Sequence, residues 1–178
     1  MAPPSTLYRF RIELSDVDRS VYDTLDFRVA LHPSESLQFL LTRVLAFALN
    51  FQEGLEFTPG GLGNPDEPCI RIPDAQGGYQ LCIEIGNPST RKLHKAAKAS
   101  KKVKVYTYKD AEHLLREIAA DAVYQADRIE IYSIPYKFLD RLALTLQKDN
   151  SWSIIHTDGS VTVSAGEISE QCEILRHT

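Results

Sequence analysis

The chain has 178 residues, 43% of them hydrophobic and 25% charged, and carries a net charge of −4 at neutral pH. This length and apolar content fit one ordinary globular domain, residues 1–178, with a well-buried core. The acidic balance argues against a protein that coats nucleic acid generally. No apolar run approaches the ~20 residues that a membrane-crossing helix requires.

The N-terminal residues and the cysteines predict the cellular compartment. Residues 1–5 lack the basic and apolar regions of a secretory signal. Cys69, Cys82 and Cys172 form no C-x-x-C pair, and their odd number argues against a disulfide framework. These features predict a reduced, soluble, cytoplasmic protein with no membrane association.

The first part of the chain predicts a β-hairpin followed by a helix. Apolar and polar residues alternate over residues 8–14 and 25–31, which is typical of half-buried strands, and the polar residues 15–20 lie between them. Residues 32–35, His-Pro-Ser-Glu, predict the start of a helix, because proline and acids suit its first turn. The apolar residues 37–49 predict its buried body.

The rest of the chain alternates between strand and helix patterns. Residues 55–57 predict a short strand beside the glycine-rich loop 59–64, and residues 74–78 predict a hairpin turn. Asp158-Gly159 predicts a second hairpin turn, so the chain is expected to end in β-structure. The further predicted strands are 69–72, 80–85, 103–108, 129–134, 153–156 and 161–163, and the further predicted helices are 88–100, 111–122 and 138–146.

Two acids are predicted to meet across the first of these turns. In an antiparallel hairpin centred near Ala75, Asp66 lies opposite Glu84, whereas Asp74 stays at the tip; a slip of the register would substitute Glu67. Strand alternation also places Glu84 on the same face as Cys82 and Gly86. Because Mg²⁺ prefers one or two carboxylates and accepts phosphate oxygens, Asp66 and Glu84 predict a Mg²⁺ or Mn²⁺ site.

A basic helix follows Glu84 directly. Between Arg91 and Lys109 there are eight basic residues and no acidic one. Four of them, predicted to lie on one side of the helix, form a ridge that could bind nucleic acid: Arg91, Lys95, Lys98 and Lys102. A lysine on this ridge could stabilise the negative charge that develops on a reacting phosphate.

Several short strings, taken in order, resemble the YaeQ family of bacterial proteins over essentially the whole chain. They are His32-Pro33-Ser34-Glu35, Arg43-Val44-Leu45-Ala46, Leu55-Glu56-Phe57-Thr58, Asp66-Glu67-Pro68, Ile83-Glu84-Ile85-Gly86 and Arg91-Lys92-Leu93-His94-Lys95-Ala96. The resemblance implies a mixed α+β variant of the PD-(D/E)XK restriction-endonuclease-like fold. Its nuclease-like core would cover about residues 34–108, with the N-terminal hairpin and C-terminal β-structure outside it.

The resemblance also implies roles for individual residues. Asp66 matches the first acid of the nuclease motif, Glu84 the second, and Glu35 the acid supplied by the first core helix. Gly86 stands where the motif has its lysine. In some relatives of the superfamily that lysine has moved to the neighbouring helix, which makes Lys95 the substitute.

Two functions are consistent with this pattern. The first is a Mg²⁺- or Mn²⁺-dependent nuclease or phosphodiesterase that acts on nucleic acid through Glu35, Asp66, Glu84 and Lys95. The alternative is a non-catalytic module on a degenerate nuclease fold, which binds nucleic acid or a protein partner. Gly86 motivates the alternative, and the sequence leaves the oligomeric state open.

Overall fold

The computed structural model describes residues 4–59 and 65–178, which form a mixed α+β fold. Its strands are β1 (Thr6–Asp16), β2 (Val21–Leu31), β3 (Glu56–Phe57), β4 (Ile70–Pro73), β5 (Tyr79–Ile85), β6 (Val103–Thr107), β7 (Ile129–Ser133), β8 (Asp149–Thr157), β9 (Ser160–Ala165), β10 (Ile168–Glu173) and β11 (Leu175–Arg176). Its helices are α1 (Leu37–Leu49), α2 (Thr90–Ala99), α3 (Ala111–Ala120) and α4 (Tyr136–Ala143), with a 3-10 turn at Ala126–Arg128.

The predicted order of elements is confirmed, together with the mixed α+β class, the N-terminal hairpin and the C-terminal β-structure. Residues 60–64 of the predicted loop lie outside the described residues. Several boundaries differ from the predicted ones. The first helix begins at Leu37 rather than near His32, because the Ser36 hydroxyl accepts the Phe39 N–H at 3.1 Å and caps the helix there.

The chain divides into two compact units, and each is described by itself. Unit 1 contains Met1–Leu49 and Ile134–Leu175, and unit 2 contains Asn50–Ser133 and Arg176–Thr178. The predicted nuclease-like core therefore contributes α1 to unit 1, and β3 to β6 with α2 to unit 2. The assignment of residues 1–178 to one domain stays a prediction, as does the likeness of the core to restriction endonucleases.

Unit 1 is built on a five-stranded sheet with the strand order β10-β9-β8-β1-β2. The alternation along β1 buries Phe10, Ile12 and Leu14 on one face of the sheet. Phe10 meets Trp152 of β8 edge to face, with ring centroids 4.9 Å apart, which is a favoured arrangement for aromatic pairs. The apolar helix α1 packs beside α4 in the same unit.

Unit 2 is built around a second sheet with the order β11-β7-β6-β5-β4-β3. Strands β5, β6 and β7 are parallel, and α2 and α3 connect them. Both helices bury apolar residues against one face of this sheet, as Leu93 and Leu114 do beside Val105 and Ile131. Because Glu84 pairs with Val105 in register, its side chain lies on this helix-covered face.

Within residues 4–59 and 65–178, no helix has the length and hydropathy that are needed to cross a membrane.

Candidate active site

Two acids and two lysines of unit 2 meet around one pocket of about 230 Å³, here called the carboxylate–lysine pocket. It lies between strand β5, helix α2 and the turn that precedes β4. The structure brings Asp66, Glu84 and Lys95 together here. The pocket is lined by Asp66, Pro68, Tyr79, Cys82, Glu84, Lys92, Lys95, Ala96 and Ala99.

The predicted hairpin register is wrong by three residues. Ile70 pairs with Ile83 and Ile72 with Leu81, so the residue opposite Glu84 is Cys69 rather than Asp66. The reason is the turn, which lies further along the chain than Ala75 and adds a register shift between Ile72 and Pro73. Asp66 reaches the pocket from the turn before β4, where it is exposed.

Glu84 is the most buried acid of the pocket, with 2% of its side chain exposed. Its Oε2 lies 2.9 Å from Nζ of Lys92 on the following helix. Its Oε1 is also buried but has no hydrogen-bond partner among the described residues. A buried carboxylate oxygen without a donor costs free energy, so Glu84 is incompletely satisfied by the protein itself.

Burial controls the electrostatics of this pair. It raises the pKa of Glu84, and Lys92 and the backbone N–H of Cys69 only partly oppose that rise. Burial lowers the pKa of Lys92, but the neighbouring Glu84 carboxylate outweighs burial and the pKa is raised. Burial and the partner's charge thus act in opposite directions on the pKa of each member of this pair, an arrangement that is frequent at functional sites.

The second acid of the pocket has the opposite character. Oδ1 of Asp66 accepts a hydrogen bond of 2.7 Å from Nζ of Lys95, and both side chains are well exposed. This hydrogen bond and the charge of Lys95 lower the pKa of Asp66, and Arg91 and Lys92 contribute less. Asp66 is thus ionised at neutral pH and sits where solvent and ligands reach it.

The backbone explains why a glycine stands at position 86. Gly86 has φ +79°, a left-handed conformation that residues with a side chain rarely adopt. A Cβ at this position would meet no atom within 4 Å, so space is not the obstacle. A lysine at position 86 would strain the backbone, and the lysines of the pocket come from α2 instead.

Lys92 is a residue of the pocket that the sequence pattern did not identify. The family resemblance favours Lys95 as the replacement lysine, whereas Lys92 lies beside Glu84 and Lys95 beside Asp66. Lys92 falls about 100° from Arg91 around the helix, between the small residues Ala99 and Ala96. A lysine at the border of a small-residue stripe is the signal that could have identified it.

The other members of the basic ridge lie outside the carboxylate–lysine pocket. Arg91 and Lys98 are exposed on α2, and Nζ of Lys98 lies 5.9 Å from the ring centroid of Tyr124. The placement of Lys102 on the helical ridge is wrong, because α2 ends at Ala99. Lys102 instead forms an ion pair with Glu130 of β7, at 2.8 Å.

Glu35 belongs to unit 1, where it lies just before α1 and not in its first turn. Its side chain is 2% exposed, and its Oε2 lies 3.4 Å from the guanidinium of Arg43. Oε1 accepts a hydrogen bond from the His32 N–H, at 3.2 Å. Burial raises the pKa of Glu35, with Arg43 opposing it. Its role in a metal site stays a prediction.

Cys82 shares the pocket with Glu84, as strand alternation predicts. Burial raises the pKa of its thiol to about 12, and the Ser100 hydroxyl donates a hydrogen bond to the sulfur at 2.7 Å. The thiolate is the nucleophilic form of cysteine. Cys82 is therefore protonated at neutral pH and lines the pocket as a small neutral residue.

The donor set of the pocket fits a hard divalent cation. Mg²⁺ takes one or two protein carboxylates and keeps several waters, and the unpartnered Oε1 of Glu84 and the exposed carboxylate of Asp66 supply those oxygens. Across residues 4–59 and 65–178, no three His, Cys, Asp or Glu side chains gather into a metal-binding group.

Comparison with known proteins gives relatives over part of the chain. The chain is 33% identical over 108 residues to the uncharacterized protein YaeQ of Escherichia coli strain K12. It is 32% identical over 108 residues to the protein of the same name from Salmonella typhi. Each match covers 61% of this chain and 59% of the relative. The chain thus matches less than two thirds of the length of these relatives.

Two solved structures match almost the whole chain. The crystal structure of the YaeQ protein from Xanthomonas axonopodis pv. citri has a TM-score of 0.89 at 28% identity, and covers 98% of this chain and 99% of that one. The YaeQ protein from Pseudomonas syringae has a TM-score of 0.89 at 26% identity, with 99% and 98% covered. The family described as "YaeQ protein" matches residues 1–174. The chain belongs to the YaeQ family.

Proposed function

We propose that this chain is a metal-dependent phosphodiesterase that acts on nucleic acid, with the scissile phosphate bound in the carboxylate–lysine pocket. One observation carries the proposal. Two carboxylate–lysine pairs, Glu84 with Lys92 and Asp66 with Lys95, line the same pocket. This combination supplies oxygen ligands for a cation and ammonium groups for a phosphate within one water-accessible volume.

Each residue has a role that follows from its surroundings. The unpartnered Oε1 of Glu84 and the exposed carboxylate of Asp66 would hold Mg²⁺ or Mn²⁺. When bound, such a metal polarises the phosphate and lowers the pKa of a water ligand. Lys92 keeps its charge inside the pocket because Glu84 raises its pKa, so its ammonium can stabilise negative charge on the phosphate oxygens.

Lys95 is suited to a different task. Its side chain is 45% exposed and that of its partner Asp66 is 63% exposed, so both side chains are accessible to solvent. Lys95 would bind a phosphate that enters the pocket, and Asp66 would be one of the two carboxylates that hold the metal. Lys95 would therefore guide and hold the substrate, and Lys92 is the lysine that corresponds functionally to the one missing at Gly86.

The test is cleavage of labelled single- and double-stranded DNA and RNA with added Mg²⁺ or Mn²⁺. Glu84→Gln is expected to lower the cleavage rate about 100-fold or more, because a positioned charge in the site is lost. Glu130→Gln is the matched control, since Glu130 is also a strand acid paired with a lysine but lies outside the pocket. Cleavage that survives in Glu84→Gln would contradict the proposal.

One observation favours the second candidate, a non-catalytic binding module. Each acid of the pocket is already neutralised by a lysine, so the pocket can exist without a metal. This candidate predicts that the wild-type protein cuts no nucleic acid with either metal. Binding of nucleic acid would then weaken steeply with salt, whereas salt-insensitive binding of a protein would identify the other kind of partner.

A further inference from the structure

A second pocket of about 410 Å³ lies beside the carboxylate–lysine pocket in unit 2. Lys95 lines both of them. The second pocket is lined by Thr90, Arg91, His94, Lys95, Asp121 and Val123. It is larger than the first pocket and is lined by two cationic side chains, Arg91 and Lys95.

The geometry of α2 explains how one lysine serves two pockets. At about 100° per residue, Lys95 lies between Arg91 and Lys92 around the helix axis. Lys92 faces the first pocket and Arg91 the second, so the two pockets occupy adjacent faces of one helix. A chain of anions that crosses this helix would meet Lys92, Lys95 and Arg91 in that order.

Arg91 and His94 give the second pocket donors for an anion. Arg91 makes no ion pair with another described residue, and its charge also acts on Asp66 of the first pocket. Nδ1 of His94 accepts the backbone N–H of Tyr124 at 3.1 Å, so the neutral ring carries its proton on Nε2. Arg91 offers a planar fork of donors suited to phosphate oxygens, and His94 adds a neutral donor.

One acid opposes an anion in this pocket. Asp121 lines it, but one of its oxygens is engaged by the Thr90 hydroxyl, which donates a hydrogen bond of 2.6 Å. With His94 neutral, the lining carries two positive charges and one negative charge. The net positive charge of the lining therefore favours an anion of modest charge, such as a phosphodiester. Because the positive charges belong to Arg91 and Lys95, the anion is expected to lie near these two side chains.

We propose that the second pocket binds the phosphate next to the scissile one, so that the substrate is a nucleic-acid strand with at least two consecutive phosphodiesters. This inference rests on the proposed function, because it takes the carboxylate–lysine pocket as the place of cleavage. It assigns to Arg91 and His94 the binding of a non-reacting phosphate. A mononucleotide or a lone diester would leave the second pocket empty.

Two substrates test the proposal by kinetics: a labelled oligothymidylate and bis(p-nitrophenyl) phosphate, which contains one phosphodiester. Arg91→Gln is expected to lower kcat/KM for the oligonucleotide about tenfold, the equivalent of one lost charge-assisted contact, and to leave the small diester within about twofold. Lys98→Gln is the matched control, because it removes a positive charge from the same helix outside both pockets.

Two kinetic results would overturn the inference. If Arg91→Gln lowers the rates for both substrates equally, Arg91 acts on the first pocket alone. If Lys98→Gln matches the loss in Arg91→Gln, the surface attracts the strand by diffuse charge and contains no subsite.

A binding measurement separates the inference from the proposed function. Fluorescence anisotropy without added metal compares labelled thymidine oligonucleotides that carry one, two and three phosphates. The wild type is expected to gain about tenfold in affinity at the second phosphate, and Arg91→Gln is expected to lose that gain. An absent gain overturns the subsite even where cleavage occurs. A gain in a protein that cuts neither substrate supports the subsite and rejects the phosphodiesterase.

Discussion

Two glutamates on the same sheet of unit 2 share their chemistry but not their surroundings. Glu84 of β5 and Glu130 of β7 both point from parallel strands and both bind a lysine, at 2.9 and 2.8 Å. Glu84 lies on the face covered by α2 and α3, with Lys92 as its cationic partner. Glu130 lies on the other face, because it pairs in register with Lys104.

Glu130 is surrounded by donors. Besides Lys102, it accepts a hydrogen bond of 2.6 Å from the Tyr132 hydroxyl, and Lys104 and Arg176 lie 3.7 and 3.9 Å away. Burial alone would raise the pKa of Glu130, but these partners outweigh burial and lower it. At Glu84 burial prevails and the pKa is raised.

The difference separates an acid that stabilises the fold from one that is available for function. Both carboxylate oxygens of Glu130 already have polar partners, so a bound ligand would satisfy no further hydrogen-bonding need there. A buried carboxylate with one cation and one unpartnered oxygen gains a partner when a cation binds. The same residue type on the same sheet thus has different surroundings, because the number of donors around it differs.

The largest expected effect on stability comes from the loss of Lys92, the partner of Glu84, and the loss of Lys102, the partner of Glu130, is the comparison. Lys92→Met leaves the buried Glu84 carboxylate without its cation, so the free energy of unfolding at pH 8 is expected to fall by about 3–5 kcal/mol. Lys102→Met should cost less than about 1 kcal/mol, because Lys102 is half exposed and Glu130 keeps its other partners. Urea unfolding of both variants measures this, and equal losses would remove the distinction.

A smaller effect, opposite in sign at the two sites, is expected from pH. The pKa of Glu84 is raised in the folded state, so its contribution to stability is present below the unfolded value near 4.5 and declines as pH rises through the folded value. The pKa of Glu130 is lowered, so its contribution is present above about 4.5 and is lost as pH falls through the folded value.

The glutamine variants measure these two slopes, because glutamine does not titrate. Between pH 4 and 7, the stability lost in Glu130→Gln should increase with pH, and the stability lost in Glu84→Gln should decrease. Slopes of the same sign at both sites would mean that the two acids have the same electrostatic role.

The smallest effect on stability is expected at the exposed pair of the pocket. Asp66→Asn removes a carboxylate that solvent already screens, so the midpoint of urea unfolding should not change measurably. Binding of Mn²⁺, followed by calorimetry, should nevertheless weaken in this variant, because Asp66 is one of the two proposed metal ligands. A destabilised variant with unchanged metal binding would make Asp66 a structural residue.

The order of strands and helices and the face of β5 on which Glu84 lies could be predicted from the sequence. The residues that contact Glu84 could not. Alternation along β5 was sufficient to place Glu84 and Cys82 on one face, because a strand has a period of two whatever surrounds it. The hairpin register was wrong because it depends on the length of the turn at Asp74 and on the shift at Pro73. The helix start near His32 was wrong because Ser36 provides the cap.

The choice of lysine shows why the rest could not be predicted. Helical spacing groups Lys95 with Arg91 and Lys98, but it cannot say how α2 is rotated against the sheet. That rotation depends on the packing of Leu93 and Ala97 into the core, and it directs Lys92 to Glu84 and Lys95 to Asp66. Likewise, the glycine at position 86 was visible in the sequence, whereas its φ of +79° was not.

The sequence by itself therefore determined the succession of strands and helices, the family, and the side of β5 on which Glu84 lies, because these depend on local periodicity and on ordered motifs. Only the tertiary structure decided which lysine neutralises which acid and which carboxylate oxygen stays without a partner. Those outcomes depend on how a helix is rotated against a sheet and on how deeply a charge is buried, and both are set by contacts between residues distant in the chain.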